Sequence, residues 1–236
     1  MNFLSPYVTE RDGGFSFTRR QASLFAKQIA DDYNPIHDVE AKRFCVPGDL
    51  LFAYLLVKRG LYGKMHFDFS GMVGDEVPLC MEEVADGALR IVDARGKEYM
   101  RATYEGTPCR DEELVEEVIR SYVRFSGHNF PHILQPLMAE NEVMINIDRP
   151  LVIYESMSID LTRGKMHTPV LELAEAKLDV VGKRGNAYLF FHFLEGGEEV
   201  GTGEKKMVLS GLRPYEDAMM NRMVSLYDER KQNKVV

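Results

Sequence analysis

The sequence predicts an α+β fold in which helices pack on an antiparallel sheet, with the whole arrangement occurring twice in one chain of 236 residues. Residues 49–59 form a predicted helix that is apolar on nearly every side, so other structure must cover it. Stretches of period-two alternation, which is typical of half-buried strands, follow this helix. The same order of helix, loop and strands then returns. We therefore predict two units, residues 1–110 and residues 111–236, the second with a helical tail.

The first unit is expected to open with an amphipathic helix that begins at about residue 18 and ends by about residue 33. Thr18 is a suitable N-cap and Gln21 stands three residues later, which is the capping-box pattern. Pro35 ends the helix, because the residue before a proline avoids the helical conformation. The apolar helix at residues 49–59 comes next.

Alternating patterns predict the strands of both units, and Asp-Gly and Arg-Gly-Lys turns separate those of the first. The predicted strands of the first unit are residues 67–84, 88–94 and 98–106. In the second unit an amphipathic helix at residues 110–125 precedes strands at residues 157–161, 170–182, 187–196 and 198–209. The tail after Pro214 is predicted to be a helix whose packing face consists of Met219, Met223, Leu226 and Tyr227.

Composition excludes several classes of function. The net charge of −8 argues against a nucleic-acid partner, which would require a basic face. The longest apolar run, Leu50 to Val57, is too short to span a membrane. Cys45, Cys80 and Cys109 fit neither a disulfide framework nor a zinc-binding pattern, so we expect no metal and reduced thiols. Charged residues 10–12 lie where a signal peptide would be apolar, and we expect a cytoplasmic protein.

The segment DDYNPIH, residues 31–37, places an acid and an imidazole on either side of a proline. Asp32 and His37 are five residues apart and would diverge on a regular helix. Because Pro35 makes the segment a loop, both side chains can converge on one small space and activate one water molecule. Asn34 can lock such a loop by bonding to the backbone. The alternative is an ordinary turn between helices, which Asn-Pro often initiates.

Gly48 precedes the apolar helix, where backbone N–H groups point outward without an intrahelical acceptor. Such donors stabilise negative charge that develops on a carbonyl oxygen. Activated water on one side and a polarised carbonyl on the other are the requirements for adding water to an α,β-unsaturated thioester.

The sequence DDYNPIHDVEAKRF resembles the signature loop of the MaoC-like hot-dog hydratases, which include the (R)-specific enoyl-CoA hydratases. The match consists of D-x-N-P-I-H, from Asp32 to His37, and the segment GMVGDEV at residues 71–77 is similar to a second family motif. The resemblance covers about residues 15–105. Two positions depart from it: Asp31 replaces the usual glycine, and Ala41 follows the histidine after three residues instead of five.

The resemblance implies a hot-dog fold, a long helix wrapped by an antiparallel sheet, and with the second unit a double hot dog. It implies Asp32 and His37 as the catalytic pair, and Asn34 and Gly48 as substrate-binding residues. The substrate would be a thioester of CoA or phosphopantetheine, carried by acyl-CoA or by an acyl carrier protein, without a metal or redox cofactor. The acyl chain would lie in an apolar tunnel between residues 50–57 and the sheet. Both a monomer and a homodimer remain open.

Two departures favour alternatives to a hydratase. The start of the apolar helix is Pro-Gly-Asp, and the carboxylate of Asp49 either opposes charge on the substrate or points away as a helix cap. The second unit carries SGHNFPHIL in place of the loop, with His128 and His132 as a possible degenerate second site. A hot-dog protein that binds acyl thioesters without turning them over, and a thioesterase, are therefore the alternatives.

Overall fold

Helices and an antiparallel sheet make up the chain in the computed structural model, which describes residues 3–147, 149–161 and 166–233. The helices are α1 (Arg19–Gln28), α2 (Gly48–Arg59), α3 (Glu112–Gly127), α4 (Asn129–His132), α5 (Leu134–Glu140) and α6 (Asp217–Gln232). The strands are β1 (Thr9–Arg11), β2 (Gly14–Ser16), β3 (Lys64–Phe69), β4 (Leu79–Ala85), β5 (Ala88–Asp93), β6 (Glu98–Glu105), β7 (Val143–Met144), β8 (Val152–Asp160), β9 (Val170–Val181), β10 (Arg184–Glu195), β11 (Glu198–Ser210) and β12 (Arg213–Pro214). The predicted α+β class is confirmed.

One continuous sheet crosses the part of the chain that the structure describes. Its strand order is β1-β2-β4-β5-β6-β3-β8-β11-β10-β9. Strands β3 and β8 pair antiparallel in the middle, with Met65 opposite Ile159. Outward from this junction the order is β3-β6-β5-β4 on one side and β8-β11-β10-β9 on the other. Both halves therefore use four strands in the same relative order.

Helix α2 is the centre of the larger core. Every residue from Leu50 to Leu56 is at most 4% exposed, as expected for a helix without a polar face. The Phe52 ring packs edge-on against Phe67 of β3, with ring centroids 5.1 Å apart, and against Tyr122 of α3 at 4.9 Å. The helix is thus enclosed between the sheet and α3. A second, smaller core lies between α5, α6 and strands β9 to β11.

Helix α1 has the predicted start, and it ends well before Pro35. The Thr18 side chain accepts from the Gln21 amide and the Gln21 side chain caps the Thr18 amide, so the capping box is confirmed. The helix ends at Gln28, five residues before the latest end that Pro35 allows at residue 33. The Asp32 amide instead donates to the Ala26 carbonyl at 2.8 Å, across a residue with φ of 52° at Asp31. The chain therefore leaves the helix in a left-handed turn before the proline.

The single strand predicted at residues 67–84 is also wrong. Strand β3 ends at Phe69, β4 begins at Leu79, and the two strands are not neighbours in the sheet. The connection between them makes tertiary contacts instead. The Val46 amide donates to the Val73 carbonyl at 2.9 Å, and Asp75 accepts from the Arg19 amide at the start of α1 at 2.9 Å. Alternation alone could not reveal this use of the segment.

Helix α6 forms as predicted, and its buried face differs in part from the prediction. Tyr227 is buried, whereas Leu226 is 46% exposed and Met220 occupies the buried position near the helix start. None of the helices in the described residues is both long and apolar enough to cross a membrane.

Candidate functional site

The site loop, residues 31–38, runs from the end of α1 through a single 3-10 turn, Pro35–His37. Asn34 has extended backbone, and its side-chain oxygen accepts from the Ile36 amide at 3.2 Å, which caps the turn. Asp32 in turn accepts from the Asn34 amide at 2.8 Å. The Asn34 side chain thus makes a backbone hydrogen bond of the kind that the sequence predicts for shaping the loop. Asn34 itself is exposed.

The carboxylate of Asp32 and the imidazole of His37 face each other across the loop. Asp32 Oδ2 lies 3.6 Å from His37 Nε2, and the two side chains are 20% and 13% exposed. This separation is beyond a direct hydrogen bond, yet both atoms can contact the same small molecule. The structure therefore brings together the two residues that the sequence predicts as a catalytic pair.

Hydrogen bonding fixes the tautomer of His37. Its Nδ1 lies 2.7 Å from the Cys45 carbonyl oxygen, which can only accept, so Nδ1 carries the proton. Burial lowers the pKa of His37 below its ordinary value of 6.5, and the Asp32 charge opposes that shift. In the neutral ring Nε2 is then an acceptor that faces a carboxylate oxygen. A water molecule that donates one O–H to each would satisfy both acceptors.

Gly48 is the first residue of α2, and the chain just before it is hydrogen-bonded to the site loop. Cys45, three residues earlier, donates its amide to the Ile36 carbonyl at 3.1 Å and accepts from His37. A Cβ at Gly48 would lie 3.1 Å from the Tyr154 ring and 3.2 Å from the Phe69 ring. Glycine therefore suits this close approach at the start of α2.

Asp49 contacts a buried polar cluster that the sequence did not predict. Its Oδ2 accepts a 2.6 Å hydrogen bond from the Ser126 hydroxyl at the end of α3, and Lys205 of β11 donates to the same hydroxyl at 2.5 Å. Asp49, Ser126 and Lys205 are 8%, 7% and 4% exposed. Burial raises the pKa of Asp49 and lowers the pKa of Lys205, while their opposite charges counteract both shifts. The Asp49 carboxylate is therefore directed at the second half of the chain.

Two signals for this cluster were present in the sequence. Ser126 lies four residues after the buried Tyr122, so it continues the buried face of α3. Lys205 alternates with Met207 and Leu209 along β11, which places it on the inner face of the sheet. A polar residue in an apolar register position marks a group with a specific buried partner.

Two tyrosines complete the cluster. The Tyr122 and Tyr154 hydroxyls are hydrogen-bonded to each other, and the Lys205 ammonium lies 4.3 Å from the centroid of the Tyr154 ring. Burial raises the pKa of each tyrosine well above the usual value for this side chain. Both hydroxyls are therefore protonated at neutral pH, and the Tyr154 ring stabilises the Lys205 cation through its face.

The second-unit histidines occupy different environments. His128 Nε2 lies 2.7 Å from Asp31 Oδ2, so this histidine contacts the first residue of the site loop. His132 is exposed, with its ring centroid 5.9 Å from that of His128. The structure brings His128 next to the first loop, and does not bring His132 there. A separate site at these two residues remains a prediction.

The space between α2 and the sheet is filled by side chains in this structure, contrary to the expected apolar tunnel. Phe15 of β2 and Tyr54 of α2 have ring centroids 4.0 Å apart, and Phe52 packs against Phe67 as described. A cavity of about 780 Å³ lies elsewhere, between residues of β3, β6, β8, β10 and β11.

In the described residues no group of three or more His, Cys, Asp and Glu side chains is arranged to hold a metal ion.

The chain belongs to the family described as protein of unknown function DUF3581, whose model matches residues 2–218. A comparison with curated proteins gives no significant match.

Several solved structures are similar to the chain at low identity. An acyl-CoA thioesterase II from Mycobacterium marinum is 14% identical, with 72% of this chain and 90% of that chain covered and a TM-score of 0.45. A conserved protein with a hot dog fold from Alicyclobacillus acidocaldarius is 8% identical, covering 91% and 100%, with a TM-score of 0.45. A MaoC-like dehydratase is 8% identical, covering 87% and 98%, with a TM-score of 0.45.

Proposed function

We propose that this protein is a hydratase or dehydratase of acyl thioesters, and that Asp32 and His37 are its catalytic residues. The observation that carries the proposal is the 3.6 Å separation between Asp32 Oδ2 and His37 Nε2, with the ring proton committed to the Cys45 carbonyl. Two acceptors that face each other at this distance favour a water molecule between them, with its hydrogens directed at the two groups. That is a suitable arrangement for a nucleophilic water.

In the hydration direction the water oxygen bonds to carbon 3 of a 2-enoyl thioester while His37 Nε2 accepts its proton. The electrons of the double bond move toward the thioester carbonyl, and carbon 2 then takes up a proton, so one water molecule is added in total. Dehydration is the reverse of these steps. A lowered pKa keeps His37 neutral and able to accept the proton near neutral pH.

The amide of Gly48 is the proposed donor to the thioester oxygen, where negative charge accumulates. Asp49 next to it would oppose that charge if its carboxylate faced the substrate. The Asp49 carboxylate instead accepts a hydrogen bond from Ser126. The charge of the nearby Lys205 partly compensates the negative charge of Asp49. These contacts support the binding role of Gly48 despite the adjacent acid.

We extend the proposal to the architecture and the partners of the protein. The repeated strand order supports a double hot dog with units at residues 1–110 and 111–236, joined through the pairing of β3 with β8. The substrate would arrive as acyl-CoA or on an acyl carrier protein, and the reaction would need no redox cofactor. Because side chains fill the space beside α2, binding of a long acyl chain requires some of them to move. The protein would act as a cytoplasmic enzyme, as a monomer or a homodimer.

A thioesterase is the second candidate, and one observation favours it. The Ser126 hydroxyl lies between a lysine and a carboxylate, and its neighbour Gly127 packs against Asp32: a Cβ on that glycine would be 3.2 Å from Asp32 Cβ. A hydroxyl with a basic partner is one way to activate a nucleophile. Burial of Ser126 at 7% exposure disfavours this role relative to the more accessible pair.

The test is to incubate the purified protein with short-chain and long-chain 2-enoyl-CoA while following enoyl absorbance and free thiol. We expect loss of enoyl absorbance without release of thiol. The variants Asp32→Asn and His37→Gln should each lower the rate by roughly 100-fold or more. Thiol release would favour the thioesterase, and binding with neither product would favour a non-catalytic module.

A matched control is available on strand β3. His66 and Asp68 form another acid–imidazole pair, with His66 Nε2 3.1 Å from Asp68 Oδ1, and both side chains are about half exposed. The variants His66→Gln and Asp68→Asn change the same chemical groups away from the site loop, so they should keep the full rate. Full activity in Asp32→Asn or His37→Gln would remove that residue from the mechanism.

A further inference from the structure

Helix α6 contacts both ends of the site loop through ion pairs. Asp31 and Asp38, the first and last residues of the loop, pair with two consecutive cations of this helix. The Lys231 ammonium nitrogen lies 2.6 Å from Asp31 Oδ2, and the Arg230 guanidinium contacts Asp38 Oδ2. The two acids bracket the proposed catalytic pair, so the two ion pairs act on either side of it.

The ion pair at Asp38 is withdrawn from water. Asp38 is 7% exposed, and its second oxygen lies 3.1 Å from the ammonium of Lys27, which is also 7% exposed. Burial lowers the pKa of Lys27 to about 8, and the Arg230 charge contributes to the lowering. Charges in such surroundings interact more strongly than on the surface and are screened less by salt. Arg230 therefore stabilises the buried Asp38 carboxylate at the end of the site loop.

Aromatic packing places the same face of α6 on the loop. Tyr227, three residues before Arg230, is buried on that face and meets the Tyr33 ring edge-on at a centroid distance of 6.3 Å. It also packs edge-on against Phe130 at 5.7 Å, and its hydroxyl is 3.5 Å from the Gly127 carbonyl oxygen. Helix α6 thus lies over the site loop and the end of α3 together.

The backbone at Asp31 supports a specific role for its side chain. Its φ of 52° lies in the left-handed region, which glycine adopts most readily and aspartate tolerates. A carboxylate here accepts from both His128 and Lys231, which glycine could not do. The side chain thereby connects the turn after α1 to the junction between α3 and α4 and to α6.

We propose that Arg230 and Lys231 are positioning residues for the proposed reaction, acting through Asp38 and Asp31 to hold the site loop in its reactive geometry. The kinetic part of this inference rests on the proposed function, whereas the ordering of the loop does not. Since a displacement of about 1 Å can lower a rate by roughly 100-fold, loss of the two ion pairs should reduce turnover by roughly 10- to 100-fold.

The experiment compares the wild-type protein with Arg230→Gln/Lys231→Gln, and with Asp31→Asn, which keeps a residue that tolerates the left-handed conformation. Arg222→Gln, an exposed position of the same helix, is the matched control for loss of one cation. Backbone amide exchange at residues 32–46 should accelerate at least tenfold in the double variant, and remain unchanged in the control. With 2-enoyl-CoA as substrate, kcat of the double variant should fall by a larger factor than its KM changes. Lysine instead of glutamine at position 230 (Arg230→Lys) should recover part of the rate.

Unchanged amide exchange in the site loop of the double variant would overturn the inference. So would a rate increase, which would make α6 an inhibitory cover, or exchange that accelerates equally throughout the chain, which would make the contact purely a contribution to global stability. Absence of turnover in the wild type would refute the proposed function alone, because amide exchange still tests whether α6 orders the loop.

Discussion

The carboxylate of Asp49, at the start of α2, accepts a 2.6 Å hydrogen bond from the hydroxyl of Ser126, at the end of α3. Lys205 of β11 donates to the same hydroxyl, so a single serine bridges two buried groups of opposite charge. Burial raises the pKa of Asp49 and lowers the pKa of Lys205, and in both cases this effect exceeds the attraction between the charges. The cluster connects α2, α3 and β11, and its formation removes two charged groups from water.

Removal of one charge from this cluster should therefore be worse than removal of both. We expect Asp49→Asn or Lys205→Met to lower the free energy of unfolding by roughly 3 kcal/mol, because each leaves the other group buried without its opposite charge. The double variant should lose much less than the sum of the single variants. Urea denaturation measures all three values, and additive losses would argue against coupling between the two residues.

The pKa of His37 should lie below 6.5, since burial disfavours the charged ring more than Asp32 favours it. Only the neutral ring accepts a proton, so the acid limb of the rate profile should also fall below pH 6.5. The variant Asp32→Asn removes a charge that raises this pKa and should lower it further. Ring signals in NMR report both values without any turnover. A midpoint above 6.5 in the wild type would contradict the buried environment assigned to this histidine.

Gly127, the last residue of α3, lies close to the turn after α1 and to Asp32 of the site loop. A Cβ at this position would lie 2.0 Å from the Ala30 carbonyl oxygen, and a backbone atom cannot move aside cheaply. Gly127→Ala should therefore destabilise the protein by about 1–3 kcal/mol or displace Asp32. Gly74→Ala is the control, because its nearest neighbour would be the Val77 side chain at an ordinary 3.7 Å. Equal thermal stability of the two variants would count against the close approach.

The capping box of α1 offers a test of the fold that is independent of the site. Thr18→Ala removes the side chain that accepts from the Gln21 amide and should lower the free energy of unfolding by about 1 kcal/mol. Thr107→Ala, at an exposed position in the connection after β6, should change it by much less. Chemical denaturation of both variants makes the comparison, and similar losses would mean that the cap contributes little.

Local patterns were sufficient where the structure is determined locally. The capping box at Thr18, the apolar helix α2 and the alternating strands β9 to β11 all follow from residues close together in the chain. The loop containing Asp32 and His37 was found for the same reason, since a proline between them already prevents a regular helix.

Contacts between distant residues explain what the sequence did not reveal. The segment at residues 67–84 alternates like a strand. In its middle, however, the Val73 carbonyl accepts from the Val46 amide, and Asp75 accepts from the first amide of α1. Lys231 and Asp31 are 200 residues apart, and nothing near either residue indicates the other. Ser126 and Lys205 did have register signals, but only the fold shows that both signals point at Asp49.

The pairing of β3 with β8 has a consequence for any attempt to divide the chain. Separation between β6 and α3 would give two fragments, each with a bare row of backbone N–H and C=O groups where its neighbour had been. Alone, each fragment should self-associate through that strand. Produced together, the fragments should recombine, because the missing partner strand is the best template available to either one.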